Sequence, residues 1–287
     1  LQIVEKTVGK ILLLNKTRAS HMKQHGTRGF TLVEALCVIV VISLLAGLGH
    51  GAYSRVQNSS KKVAEINAAK NLIQAYLLAS EDNQGVLLKG YDLAGSANDS
   101  RGTPFSSRRS ESHRWPWRLA PYLNYQLYGT VLVNEVEDYI QQIGGLDSTY
   151  MVSVIPSLGM NAGFVGGQDY EEDLRSLQTR GLCVQRAVQS ASPSKLIVFI
   201  SSKSEMMGKK YKGFYYATSP LYPSAWPSQF QDSIDPSETG YVDPRFGGKA
   251  VVACLAGNVE ELSYQELKDM RRWANEAARQ DNPNWKP

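Results

Sequence analysis

Arg28-Gly29-Phe30-Thr31-Leu32-Val33-Glu34 leads without a break into the apolar run 35–49. Three features meet at this junction: a glycine after a base, a lone carboxylate five residues further on, and the start of a hydrophobic helix. Between Glu34 and Arg55 the sequence holds no acid or base except His50. Residues 35–54 can therefore form a helix of about 30 Å, enough for one bilayer crossing. A carboxylate at the mouth of such a segment is expensive to bury without a counter-charge, and the nearby bases Lys23 and Arg28 lie on the far side of Gly29. Cutting the chain between Gly29 and Phe30 would create an α-amine at Phe30. That cation on one copy could meet Glu34 of a neighbour as the helices stack.

This combination of residues resembles the type III signal of type IV prepilins and of the pseudopilins of type II secretion systems. The resemblance implies that Gly29 precedes a cleavage, that Phe30 becomes the N-methylated first residue, and that Glu34 is the fifth-position glutamate used in assembly. It also implies partners: a prepilin peptidase, other pilin or pseudopilin subunits, an inner-membrane assembly platform and the lipid bilayer. Two simpler readings compete. A secretory signal peptide has a basic region, an apolar region of roughly 7–15 residues and a small-residue cleavage site, for which Gly49-His50-Gly51 is the candidate. Glu34 stands against it, placed where the apolar region should begin cleanly. An uncleaved signal anchor would set Glu34 at the membrane edge and make the chain a membrane-anchored exported enzyme or binding protein. Neither reading needs Gly29 beside Phe30.

The charge distribution gives the orientation. The net charge is +4, but residues 1–29 hold six bases against one acid, Glu5, so this segment carries +5 and the remainder −1. A basic flank stays cytoplasmic, which puts the C-terminal body across the membrane. A near-neutral body does not imply a surface that binds nucleic acid. Met22 offers a start that leaves Met-Lys-Gln-His-Gly-Thr-Arg-Gly ahead of Phe30, and residues 1–21 are expected to be a start-site artefact or a dispensable extension.

From Phe30 the pattern predicts one helix to about Ser80. Its first half is apolar all round. Its second half is amphipathic, with Val63, Ile66, Ala69, Ile73, Tyr76 and Leu77 on one face and Lys61, Lys62, Glu65, Lys70 and Gln74 between them. Gly47, Gly49 and Gly51 mark either a local bend during assembly or close packing through small residues. Gly85 is the expected stop. Residues 90–114 read as a surface loop; in the stretch that follows, Arg108, Arg109, Arg114 and Arg118 with Trp115 and Trp117 offer a basic, aromatic patch for a single strand of nucleic acid, but the favoured reading is that Trp115-Pro116-Trp117 packs a short helix, 119–123, onto the body while the arginines stay solvated.

Further on, 135–143 is a predicted helix, 150–155 a strand ended by Pro156, 157–167 a glycine-rich connection and 169–177 a helix. Residues 195–201 form the clearest buried strand and 214–217 another. The proline-rich stretch 218–245 is a loop. Segments 249–255 and 258–262 then form a hairpin around Ala256-Gly257, and 264–279 is an amphipathic helix bearing Leu267, Met270, Trp273 and Ala277. The hairpin segment resembles a C-terminal motif of pilin-like proteins, His, nine residues, then Asp-Gly. Here Phe246 and Ala256 replace its two polar residues, so only the turn glycine, Gly257, is kept.

The sequence offers no catalytic centre. Past the leader only His50 and His113 remain, which excludes a multi-histidine zinc site, and no Gly-x-Ser-x-Gly elbow is present. His113 reads as a surface residue, and Asp169, Glu171, Glu172 and Asp173 as a solvated helix start rather than a calcium site. Cys183 and Cys254 could pair in an exported compartment or stay as buried thiols. The expectation is an α+β, pilin-like chain without catalytic residue, metal or cofactor. It comprises a cytoplasmic leader 1–29, a transmembrane and assembly helix 30–54, its amphipathic continuation 55–80 and a periplasmic domain 81–287.

Overall fold

The computed structural model describes residues 30–105 and 110–287, and of residues 46–52, 146 and 147 it describes the backbone alone. Met22, Gly29, Arg108 and Arg109 lie outside the described residues. The chain divides into two compact units, Leu1–Ser54 and Arg55–Pro287. The long helix spans Leu32–Asp82 and runs through Gly47, Gly49 and Gly51. In the first unit every described side chain from Phe30 to Leu45 is exposed. Among the described residues no helix is long and apolar enough to cross a membrane. The span predicted over 30–54 includes residues 46–52, whose side chains lie outside the described residues.

The second unit is an α+β body built on an antiparallel sheet. Strands β1 (Leu158–Met160), β2 (Ile197–Ser201), β5 (Lys249–Cys254) and β6 (Val259–Ser263) lie in the order β1-β2-β5-β6. All five residues of β2 are buried, as a strand covered on both faces requires. Its partners are set by Met160 opposite Phe199 and Ile200 opposite Val252. The predicted C-terminal hairpin is β5–β6, with Val251 opposite Glu261. Its turn closes through Gly257 at φ +90°, a conformation that glycine adopts without strain. A separate hairpin joins β3 (Ser204–Met206) to β4 (Lys209–Tyr211).

The helix packs through the periodic set Glu65, Ala68, Ala69, Leu72, Ile73, Tyr76, Ala79 and Ser80, all buried. This stripe has the i, i+3, i+4, i+7 spacing of a core-facing helix. Tyr76 meets Phe199 of β2 edge-on at 5.4 Å, and Trp115 approaches the same ring at 5.1 Å. Gly85 closes the helix as predicted, its N–H donating to the Ser80 carbonyl at 2.7 Å. Val63, assigned to the buried face from sequence, is exposed, and Glu65, assigned to the wet face, is fully buried.

Several other expectations are corrected. Of residues 150–155, read as a strand, 150–154 end the helix Gly145–Val154 and Ile155 follows it; a short apolar run ended by proline fits either geometry. Strand β1 lies inside the stretch read as a glycine-rich connection, where Gly159 lets the Tyr216 backbone come within 2.9 Å of where a Cβ would sit. Residues 214–217 make an isolated bridge, Met160 to Tyr216, because the Phe214 N–H is taken by the Ser202 hydroxyl. The predicted helix 264–279 is broken into the turns Glu266–Lys268 and Met270–Arg272 and the short helix Asn275–Arg279. Asp269 accepts from the Arg271 N–H and starts a new turn there, a local side-chain bond that competes with helix continuation. Leu267, Met270, Trp273 and Ala277 are nonetheless all buried, as their spacing required.

Candidate assembly site

The N-terminus of the long helix is organised by two side chains. Thr31 stands immediately before the first helical residue, Leu32, and Glu34 falls in the first turn. The Glu34 Oε2 accepts from the Thr31 N–H at 2.9 Å and from the Thr31 hydroxyl at 2.8 Å, while Thr31 Oγ1 accepts from the Glu34 N–H at 3.2 Å. This is a capping box, in which a Thr-x-x-Glu pair satisfies backbone donors that the helix start would otherwise leave unpaired. The Ala35 N–H to Thr31 carbonyl bond, 3.1 Å, closes the first turn. Both bonds to Glu34 use Oε2, and Oε1 has no hydrogen-bond partner among the described residues. Phe30, one residue outside the cap, is exposed. The structure thus keeps Phe30 and Glu34 together at the helix start, while Gly29 is outside the described residues. The Thr31 role was legible as a Thr-x-x-Glu spacing ahead of an apolar run, although the sequence reading did not use it.

Residues 24–49 match the family described as the prokaryotic N-terminal methylation motif. The chain carries a prepilin-type signal. The capping box falls inside this signal, as does the described apolar helix face from Leu32 to Leu45. No curated protein and no solved structure matches the chain.

In the second unit a buried polar cluster fixes the helix to the sheet. The Ser201 hydroxyl of β2 donates to Glu65 Oε1 and accepts from the Val251 N–H of β5 at 2.8 Å. Arg245 Nη1 lies 3.6 Å from Glu65 Oε2, and Arg245 Nε lies 3.3 Å from Asp243 Oδ2. The same guanidinium donates to the carbonyls of Lys212 and Ser157 at 2.9 and 3.2 Å, and to that of Ser202. Burial pushes the Glu65 carboxyl above its ordinary value, with Arg245 and the Ser201 hydroxyl pulling against it.

The described residues of the aromatic–arginine stretch are packed against the body, while Arg108 and Arg109 lie outside the described residues. Trp115 and Trp117 are buried as expected, and Trp115 Nε1 donates to the Tyr215 carbonyl at 2.6 Å. Arg114 lies over the rings of Tyr150 and Tyr215, 5.2 and 5.0 Å from their centroids. The Arg118 side chain is 8% exposed and lies 3.7 Å from Asp92, and its burial lowers its pKa to about 10. His113 is buried too, its Nδ1 3.2 Å from the Tyr91 hydroxyl. These groups pack the base of the loop, so they are not free to stack on a nucleic acid.

Asp169 is already occupied: Oδ1 takes the Lys89 ammonium at 2.8 Å and Oδ2 the Leu93 N–H at 3.1 Å. Among the described residues no group of three or more His, Cys, Asp or Glu is arranged to hold a metal ion. Cys183 and Cys254 are buried free thiols, and burial pushes each up to about 12. A groove of about 690 Å³ is lined by Lys89, Asp92, Arg118, Tyr122 and Gln178 among others, and its lining includes no histidine or cysteine.

Proposed function

We propose that this chain is a structural subunit, a pseudopilin or minor pilin, of a type II secretion or type IV pilus-like fibre. On this reading residues 1–29 are a cytoplasmic leader, 30–54 span the inner membrane and later form the fibre core, and 55–80 continue the helix. The periplasmic domain is then 81–287. A prepilin peptidase cuts after Gly29 and N-methylates Phe30. The subunit is drawn out of the bilayer with the help of an inner-membrane assembly platform and stacks on other subunits through its apolar helix.

The observation that carries this reading is the prepilin-type signal together with the geometry at its helix start. Glu34 is held at the first turn by Thr31, with Oε1 unpartnered among the described residues, and Phe30, whose amine the cut would expose, stands one residue before the cap. A carboxylate fixed in this way can accept the Phe30 amine of a neighbouring copy without giving up the bonds that cap its own helix. The exposed apolar face from Leu32 to Leu45 supports burial in lipid and then in a fibre. The large body favours a pseudopilin or minor pilin over a closely packed major subunit.

Two variants test the pairing. Glu34→Ala removes both charge and cap, whereas Glu34→Gln removes the charge but can keep the capping box. Both should still be inserted in the membrane and exported, and both should fail to enter fibres. Normal incorporation of Glu34→Gln would show that the cap suffices and that no amine is paired.

A further inference from the structure

The groove of about 690 Å³ at the C-terminal end of the long helix lies within the roughly 300–1,000 Å³ of small-ligand sites. Its walls include Asp82, Asn83, Asp92, Arg118, Tyr122 and Gln178. Two of these side chains keep hydrogen-bonding capacity that the protein does not use. Arg118, more than nine-tenths buried, donates through Nη2 to the Lys89 carbonyl. Its Nη1 stands 3.7 Å from Asp92, too far for a hydrogen bond, and its Nε has no partner among the described residues. A guanidinium carries five N–H donors, and a buried charge with so few acceptors is costly. The Gln178 amide makes no hydrogen bond among the described residues, and its Oε1 is buried beside Gly167.

The charges of the groove decide what kind of ligand fits. Its lining holds two bases, Lys89 and Arg118, and two acids, Asp82 and Asp92. Lys89 is moreover bonded to Asp169 at 2.8 Å. The groove therefore has no excess positive charge to hold an anion. Its backbone is already paired as well: the Leu87 N–H donates to the Gln185 carbonyl and the Gly166 N–H to the Val184 carbonyl, both at 2.8 Å. No open strand edge is offered there for a peptide to extend. What remains is a neutral set of side-chain donors and acceptors on facing walls, with the ring of Tyr122 among them.

The geometry points to a binding site for an uncharged oligosaccharide, held by Arg118 and Gln178. A hydroxyl both donates and accepts, so a row of sugar hydroxyls can accept from the guanidinium, bond the Gln178 amide and donate to Asp82 or Asp92 without bringing a charge of its own. An amphipathic ring such as Tyr122 suits a ligand with apolar ring faces and a polar edge. Hydrogen bonds to charged groups are stronger than neutral ones, which makes Arg118 and the two carboxylates the groups that orient the sugar.

The test uses the full chain in a polyoxyethylene detergent, which has no sugar headgroup, and calorimetry with maltotriose, cellotriose and the N-acetylglucosamine trimer. Trialanine and trigalacturonate serve as the peptide and the anionic contrast. Saturable binding, millimolar or tighter, of at least one neutral trisaccharide is expected, with none of trialanine and a weaker response to trigalacturonate. Gln178→Met keeps the side-chain length and removes the amide, and should weaken binding by about fivefold or more. Its unfolding midpoint should not fall, because the oxygen it removes is buried and unpaired, and this separates a ligand contact from a structural role. Arg118→Lys keeps the charge, loses the fork of donors and should weaken binding further; should it not fold, Gln178→Met carries the test. Lys195→Met, at an exposed position outside the groove, should leave binding unchanged. No saturable binding of any of the three sugars, an equal or tighter response to trialanine or trigalacturonate, or full affinity in Gln178→Met would overturn the proposal.

Discussion

Glu65→Ala is expected to destabilise the body by about 3 kcal/mol. The side chain it removes is fully buried and joins the helix to β2 through Ser201 and to the 245 region through Arg245. Breaking one side of a buried ion pair costs about 3–5 kcal/mol, because the partner is left desolvated. Here Arg245 keeps Asp243 and three carbonyl acceptors, which places the cost near the lower end of that range. Glu65→Gln preserves the volume and an acceptor for Ser201. It also relieves the burial of a charge, so a change within about 1 kcal/mol is expected. Urea unfolding of the full chain in detergent, followed by the fluorescence of the fully buried Trp115 and Trp273, measures both. A loss below about 1 kcal/mol for Glu65→Ala, or equal losses for the two variants, would refute the view that this cluster fastens helix to sheet.

The same carboxyl predicts a pH dependence. The native value lies above the unfolded one of about 4.3, so the native state binds more protons in between and stability falls as pH rises through that window. The native chain should therefore lose stability relative to Glu65→Gln as pH is raised upward from about 4, and a relative gain over the same interval would contradict the burial argument. Trp115→Ala should cost about 3–5 kcal/mol by equilibrium unfolding, since it empties a fully buried site and abandons the bond to the Tyr215 carbonyl. Gly166→Ala should cost roughly 1–3 kcal/mol or more: its φ is +70°, and a Cβ would come within 2.2 Å of the Leu88 oxygen, so an unchanged midpoint would count against the close approach drawn there. Cys183 and Cys254, buried and with thiols pushed up to about 12, should resist alkylation at pH 8 until the chain is unfolded, and rapid native labelling would be inconsistent with this packing.

What the sequence revealed and what it hid follow from interaction range. The long helix, the strand 197–201 and the β5–β6 hairpin were legible because each is specified by local periodicity or by turn residues such as Gly257. At the signal, the roles given to Phe30 and Glu34 rest on the resemblance, while the capping role of Thr31 could have been read from its spacing to Glu34. The buried charges were not. Glu65 finds Ser201 across 136 positions and Arg245 across a still longer span, and nothing near Glu65 in the chain distinguishes it from Lys61 or Lys70. Arg118 and His113 were likewise read as wet because their partners, Asp92 and Tyr91, lie in a loop whose fold the composition does not encode. The segment 264–279 failed for the opposite reason. Its apolar spacing was right, but the Asp269 side chain supplied a competing local bond that periodicity does not register.

The central claim is that a peptidase creates a terminal cation at Phe30 for Glu34 of another copy to meet. Mass spectrometry of the N-terminal peptide of the protein isolated from cells tests it most directly. The account predicts a chain that begins at an N-methylated Phe30. A mature chain that begins upstream of Phe30, or near Ala52, would contradict it.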